Sequence, residues 1–67
     1  MIVRLDPRSA EPIYLQIVSQ IKHLIVAGKL KPDDQLPTVR QLAVELRVDP
    51  NTVARAYRQL VDDGVIA

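Results

Sequence analysis

The hydrophobic positions between Leu36 and Gly64 fall into two short helical patterns. In each of them apolar residues recur at i, i+3, i+4 and i+7, which is the spacing of one face of an α-helix. The two sets are Val39, Leu42, Ala43 and Leu46, and then Val53, Ala56, Tyr57, Leu60 and Val61. Only Arg47 and Val48 separate the first set from Asp49, so the connection between the two predicted helices must be a sharp turn.

Local signals mark where both helices begin and end. Thr38 and Gln41 form a capping box, in which the hydroxyl oxygen accepts a free backbone N–H and the amide reaches back. Asp49 before Pro50 predicts an N-cap carboxylate followed by a proline at the first helical position, where no N–H is needed. Gly64 suits the left-handed residue that follows a helix.

These signals predict helices at about residues 38–46 and 50–63, and such a pair is a helix-turn-helix, whose second helix enters the DNA major groove. The outer face of that second helix carries Asn51, Arg55, Arg58 and Asp62, flanked by Thr52 and Gln59. Amide, hydroxyl and guanidinium groups can bond to base edges and phosphates. The solvated face of any amphipathic helix has a similar composition, so the pattern alone leaves both readings open.

A wider apolar pattern lies upstream, between Pro12 and Gly28, and predicts a helix over about residues 12–27. Its apolar residues form two adjacent stripes: Tyr14, Val18, Ile21 and Ile25, and Ile13, Ile17 and Leu24. So wide an arc predicts that this helix is the main wall of the core and covers both later helices. Tyr14 is accordingly predicted to be a core residue rather than a functional one.

Residues 1–11 show no helical period and contain an Asp-Pro turn signal, so we predict an N-terminal arm. Arg4 and Arg8 within it either touch a phosphate or belong to a solvated, frayed terminus, and we favour the second reading. After the upstream helix, Pro32 suits the second position of a type I turn.

The composition limits the classes of function. The 67 residues make one small domain, for which a hydrophobic content of 48% supplies a three-helix core. The absence of cysteine excludes a disulfide scaffold and a thiolate metal site, and His23 has no second ligand at a suitable spacing. Asp62 and Asp63 point to different sides of a helix and form no acid–base pair. With no Ser/His/Asp set and no glycine-rich phosphate loop, we predict no catalytic residue, no cofactor and no metal.

The net charge of +1, from nine basic and eight acidic residues, is weak support for nucleic-acid binding. The distribution is more favourable, because four arginines cluster in the helix-turn-helix: Arg40, Arg47, Arg55 and Arg58. No apolar run approaches membrane-spanning length, and the N-terminus lacks a signal-peptide pattern. The sequence therefore predicts a soluble, cytoplasmic protein without membrane partners.

The segments LPTVRQLA and VDPNTVARAYRQL, followed by Gly64, resemble the N-terminal domain of the GntR family of bacterial transcription regulators. Within that family the chain is most similar to the YtrA-like branch, and the resemblance extends from about Leu5 to Ile66. It implies a mainly α, three-helix winged helix-turn-helix domain over residues 12–67, with the wing hairpin truncated. The first wing strand is then expected to start at residues 65–67, and Gln35–Leu36 is expected to be a very short strand.

Four positions depart from the family pattern. Asp33 follows Pro32 where the family often has glycine, which costs little if the turn needs no positive φ. Arg47 stands where the family usually has glycine, which predicts either a left-handed arginine or a remodelled turn. Pro50 and Ala54 stand where many relatives carry arginines, so the base-reading mode of those relatives cannot be transferred to this chain.

The resemblance implies the DNA-binding head of a bacterial repressor that acts as a dimer on a pseudo-palindromic operator. Arg40 matches an arginine of the family that contacts operator DNA, Asn51 and Thr52 match the start of the recognition helix, and Arg55 and Arg58 come from the helical wheel. The predicted DNA-binding residues are Thr38, Arg40, Asn51, Thr52, Arg55 and Arg58.

The predicted partners are double-stranded DNA, a second copy held through a region outside this sequence, and a small-molecule effector bound only in a downstream domain. The alternative is a winged-helix module that binds other proteins and no nucleic acid. That alternative predicts an exposed apolar patch, which the outer faces of the predicted helices lack, except for the surface that the truncated wing would cover.

Overall fold

The computed structural model describes residues 3–31 and 33–67 and contains three helices. They are α1 (Ile13–Val26), α2 (Val39–Leu46) and α3 (Pro50–Asp62). The three-helix prediction is confirmed, and each helix begins and ends within one residue of its predicted bounds. The turn predicted at Pro32 lies outside the described residues. None of the described helices is long and apolar enough to cross a membrane.

The third helix, α3, lies between the other two and packs against both, whereas the backbones of α1 and α2 do not approach each other. The side chains on the inner face of α3 are fully buried, and so are side chains of α1 and α2 that belong to the same core. These core residues are Ile17 and Ile21 from α1, Leu42 from α2, and Val53, Ala56 and Leu60 from α3. The prediction that α1 covers both later helices is therefore confirmed for α3 and wrong for α2. The extra width of its apolar arc is covered by the N-terminal arm, which contributes the buried Val3 to the core.

The described part of the N-terminal arm is hydrogen-bonded to α1, so the prediction of a frayed terminus was wrong, whereas Arg4 and Arg8 are exposed to solvent as predicted. The amide nitrogen of Gln16 donates to the backbone oxygens of Asp6 (3.1 Å) and Glu11 (2.9 Å), and its oxygen accepts from the N–H of Asp6 at 2.8 Å. One turn later, Gln20 exchanges two hydrogen bonds with the backbone of Arg4. The two glutamines therefore satisfy the backbone of the arm in place of a paired strand.

The predicted helix starts are confirmed atom by atom. The hydroxyl oxygen of Thr38 accepts from the N–H of Gln41 at 3.0 Å, and the amide oxygen of Gln41 accepts from the N–H of Thr38 at 2.9 Å. A carboxylate oxygen of Asp49 accepts from the N–H of Asn51 at 2.7 Å, and Pro50 is the first residue of α3. Caps of this kind stabilise a helix by about 1 kcal/mol each.

All three helices end in the same hydrogen-bonding motif, in which a left-handed residue closes the last turn. Gly28 has φ +75° and Gly64 has φ +71°, whereas Arg47 adopts φ 57° and ψ 45°. After Arg47 the N–H of Val48 donates to the carbonyl of Ala43 at 3.0 Å. The left-handed alternative for Arg47 is therefore confirmed, and the turn keeps the geometry that glycine would give it.

The substitution Arg47→Gly is expected to raise the free energy of unfolding by roughly 0.5–1 kcal/mol, because it removes the Cβ from a left-handed residue. Chemical denaturation followed by circular dichroism measures the change. Arg58→Gly is the matched control, since the same replacement inside α3 should lower the free energy of unfolding by about 1 kcal/mol. A loss of stability in both variants would contradict the expectation for Arg47.

The expected wing strand at residues 65–67 is not a strand, and neither is Gln35–Leu36. The N–H groups of Val65 and Ile66 donate instead to the carbonyl of Leu60, at 2.9 Å and 3.4 Å, and both side chains pack against the core. In this structure these N–H groups therefore close the end of α3 and do not pair with a neighbouring strand.

Candidate nucleic-acid interface

The outer face of α3 carries the predicted polar residues. Asn51, Arg55 and Arg58 are all exposed, and Thr52 is half-buried at the edge of the same face. The helix is held in this orientation because its opposite face is fully buried between α1 and α2. The structure thus brings together an amide, a hydroxyl and two guanidinium groups within the first three turns of α3.

The start of α2 adds the two remaining predicted residues. Arg40 is exposed in the first turn, where its side chain makes no hydrogen bond or ion pair with the described residues. Thr38 is also exposed, but its hydroxyl oxygen is engaged in the capping box. Thr38 therefore fixes where α2 begins, and its hydroxyl hydrogen remains able to bond to an external acceptor.

Tyr57 connects the two helices of the motif in a way that the apolar pattern did not reveal. Its hydroxyl donates to the carbonyl oxygen of Pro37 at 2.7 Å, directly before the N-cap of α2. Burial, with a smaller contribution from the negative charge of Glu45, raises the pKa of Tyr57 to about 12. The signal in the sequence is a tyrosine at a core-facing position, because a buried hydroxyl needs a partner.

The raised pKa predicts that stability falls at alkaline pH. The unfolded chain releases the Tyr57 proton near 10.0, whereas the folded protein holds it to about 12, so the unfolded state binds fewer protons between these values. The free energy of unfolding should therefore decrease as pH rises from 10 to 12. Urea denaturation across this range measures the decrease, and Tyr57→Phe should make it smaller. An equal decrease in both proteins would show that Tyr57 is not its source.

Arg55 makes a second contact that the sequence did not predict. Its guanidinium carbon lies 3.8 Å from the centroid of the Tyr14 ring, so the charged group is stacked on the first turn of α1. Tyr14 is half-buried and packs against the core, as predicted, but its ring also supports an exposed arginine. The two residues are 41 positions apart, and no local signal could have paired them.

Negative charge is held at the opposite end of α3. A carboxylate oxygen of Asp63 lies 2.9 Å from the ammonium nitrogen of Lys22, and the amide of Gln59 donates to its other oxygen. The hydrogen bond from Lys22 is the main reason that the pKa of Asp63 is lowered. At 1.5 Å per residue, Asp63 lies about 12 Å along the axis from Arg55 and about 7.5 Å from Arg58, and among the described residues it forms an ion pair with Lys22 and with neither arginine. In the described part of the chain, no acidic, His or Cys side chains cluster in a way that could hold a metal ion.

The family model for bacterial regulatory proteins of the gntR family matches residues 13–67. The chain belongs to the GntR family. Its GntR domain is 48% identical over 64 residues to the HTH-type transcriptional repressor YtrA of Bacillus subtilis, covering 96% of this chain and 49% of that protein. It is 36% identical over 64 residues to the repressor NagR of the same organism, covering 96% of this chain and 26% of NagR. The chain thus spans about half of the length of the Bacillus YtrA and about a quarter of the length of NagR.

A solved structure supports the same assignment. YtrA from Sulfolobus acidocaldarius, a GntR-family transcription factor, superposes on this GntR domain with a TM-score of 0.91 and 50% sequence identity, covering 96% of this chain and 68% of that one. The predicted winged helix-turn-helix fold is therefore confirmed. The chain is a helix-turn-helix DNA-binding domain of a transcription regulator and not an enzyme.

Proposed function

We propose that this GntR-family domain recognises operator DNA by placing α3 in the major groove, as the head of a repressor in the bacterial cytoplasm. The observation that carries the proposal is the exposed set of Arg40, Asn51, Arg55 and Arg58 on two helices whose other faces are buried. A helix-turn-helix exposes these positions toward the base edges and phosphates of DNA.

The roles of these residues differ with their positions. Asn51 and Thr52 lie at the N-terminus of α3, where residues of a recognition helix meet base edges. Arg40 reaches the DNA from the start of α2, beside the hydroxyl of Thr38. Arg58 lies two turns along α3 and contacts the phosphate backbone, so its contribution is independent of sequence and sensitive to salt.

A repressor is the proposed activity because relatives from Bacillus subtilis, YtrA and NagR, are described as transcriptional repressors. In a dimer, two copies of α3 about 34 Å apart would enter successive major grooves of a pseudo-palindromic operator. The dimer contact and a small-molecule effector site are assigned to a segment outside these 67 residues. Effector binding there would alter the separation of the two heads and hence the affinity for DNA.

The test is a fluorescence-anisotropy titration of the full chain with duplex DNA from its own upstream promoter, at two salt concentrations. A scrambled duplex of the same length and composition is the control. Tighter binding to the promoter that weakens with added salt supports the proposal. Equal binding to both duplexes, or no binding by a folded protein, would refute sequence-specific recognition.

The same titration also tests the alternative of a protein-interaction module. That class of protein needs a contiguous exposed apolar patch. The most exposed large apolar side chains, Val26 and Val44, belong to α1 and α2, whose backbones do not approach each other. They do not form one patch, and the geometry therefore favours DNA as the partner.

A further inference from the structure

The contact between Tyr14 and Arg55 joins two helices at the surface that faces DNA. Arg55 lies in the second turn of α3 and is exposed, whereas Tyr14 lies in the first turn of α1 and is packed against the core. The guanidinium carbon is 3.8 Å from the ring centroid, well inside the distance of about 6 Å at which a cation is attracted to an aromatic face. A rigid ring therefore supports a side chain that would otherwise be mobile.

Stacking leaves the hydrogen-bonding capacity of the arginine intact. The ring covers one face of the planar guanidinium, while the N–H donors lie in its plane and point away from its edges. Arg55 donates no hydrogen bond to any described residue and pairs with no described carboxylate. The guanidinium of Arg55 is thus held in place, and its charge and N–H donors remain available to a ligand.

Holding the Arg55 side chain in place before DNA binds reduces the entropy that is lost on binding. A free arginine side chain loses rotamer entropy when it is fixed on a ligand, and a side chain already held in place loses less. A planar fork that presents two parallel N–H groups also matches the oxygens of a phosphate. The location of the pair supports a phosphate rather than a base edge, because the stack draws Arg55 toward α1, to the side of the exposed face.

We propose that Tyr14 is a positioning residue for DNA binding, which holds the guanidinium of Arg55 against its ring so that Arg55 clamps a backbone phosphate. This inference rests on the proposed function, since it assigns a role within the same DNA-binding surface. It gives α1 a part in DNA binding, whereas the helix-turn-helix itself consists only of α2 and α3.

The test is a double-mutant cycle on the full chain, measured by anisotropy with the promoter duplex and with the scrambled duplex. Tyr14→Leu removes the ring while keeping an apolar side chain in the core, and it should weaken binding to both duplexes by roughly two- to fivefold. Tyr14→Phe keeps the aromatic ring, so this variant should bind DNA with the affinity of the wild-type protein. Arg55→Gln should weaken binding to both duplexes and reduce the slope of affinity against salt by about one ion. In the Arg55→Gln protein, Tyr14→Leu should have no further effect.

Several results would overturn the inference while leaving the proposed function in place. Equal losses from Tyr14→Leu with and without Arg55 would show that the tyrosine acts through general packing. Weak binding by Tyr14→Phe would assign the effect to the hydroxyl, and a loss confined to the promoter duplex would make Arg55 a base-reading residue. Circular dichroism confirms that each variant is folded, and Tyr14→Phe together with Arg55→Gln tests the inference even if Tyr14→Leu does not fold. Failure of the wild-type protein to prefer its promoter would instead refute the proposed function.

Discussion

Replacing Leu60 with alanine is expected to lower the free energy of unfolding by about 2–5 kcal/mol. The side chain of Leu60 is fully buried on the inner face of α3, and both α1 and α2 pack against this helix. A domain of 67 residues has a total stability of roughly 3–10 kcal/mol, so a loss of this size leaves much of the protein unfolded. Thermal and urea denaturation followed by circular dichroism measure the change.

The matched control is Val44→Ala, which also shortens a branched aliphatic side chain within a helix. Val44 is 74% exposed, and its replacement should change the free energy of unfolding by no more than about 0.5 kcal/mol. Similar losses in the two variants would mean that the core is not centred on α3 as the packing indicates.

Replacing Arg40 with alanine is expected to weaken binding to the operator by about 1–3 kcal/mol while the melting temperature stays unchanged. The side chain of Arg40 is exposed at the start of α2 and bonds to no described residue, so its removal does not disturb the fold. Anisotropy titrations at fixed salt give the affinity, and thermal unfolding gives the stability.

Lys29→Ala controls for the loss of one positive charge. Lys29 is exposed in the turn after α1, near the end of the molecule where Lys22 meets Asp63 and far from the start of α3. Its removal should leave operator affinity almost unchanged. If both variants lost the same affinity, net charge rather than the position of Arg40 would account for the effect. If neither variant lost affinity for the operator, the role of Arg40 inferred from the family would be wrong.

Local chemistry explains why the helices and their ends could be predicted from the sequence. The capping box of Thr38 and the N-cap of Asp49 each depend on residues within a few positions, so the sequence contains all the interacting parts. The left-handed Arg47 was one of two alternatives that followed from the glycine usual at this position in the family. The outer face of α3 follows from the same helical period that buries Val53 and Leu60.

Contacts between distant segments could not be predicted in this way. A helical period shows which face of α1 is buried, but it does not show that the arm covers part of that face in place of α2. The hydrogen bonds of Gln16 to the arm and of Tyr57 to Pro37 join positions 5–20 residues apart. The stack of Arg55 on Tyr14 likewise depends on the packing of α1 against α3, which only the folded chain defines.

The position of α3 between its two neighbours bears on how such a domain can diversify. Substitutions at exposed helical sites such as Asn51 and Arg58 usually change stability by no more than about 0.5 kcal/mol. New operator preferences can therefore arise by exchanging these side chains while the buried face keeps the same three helices together. Arg55 is the constrained member of the set, because a change there also uncovers an aromatic ring on α1. Drift at this position is expected to be accompanied by change at Tyr14, so that the two sites evolve as a pair.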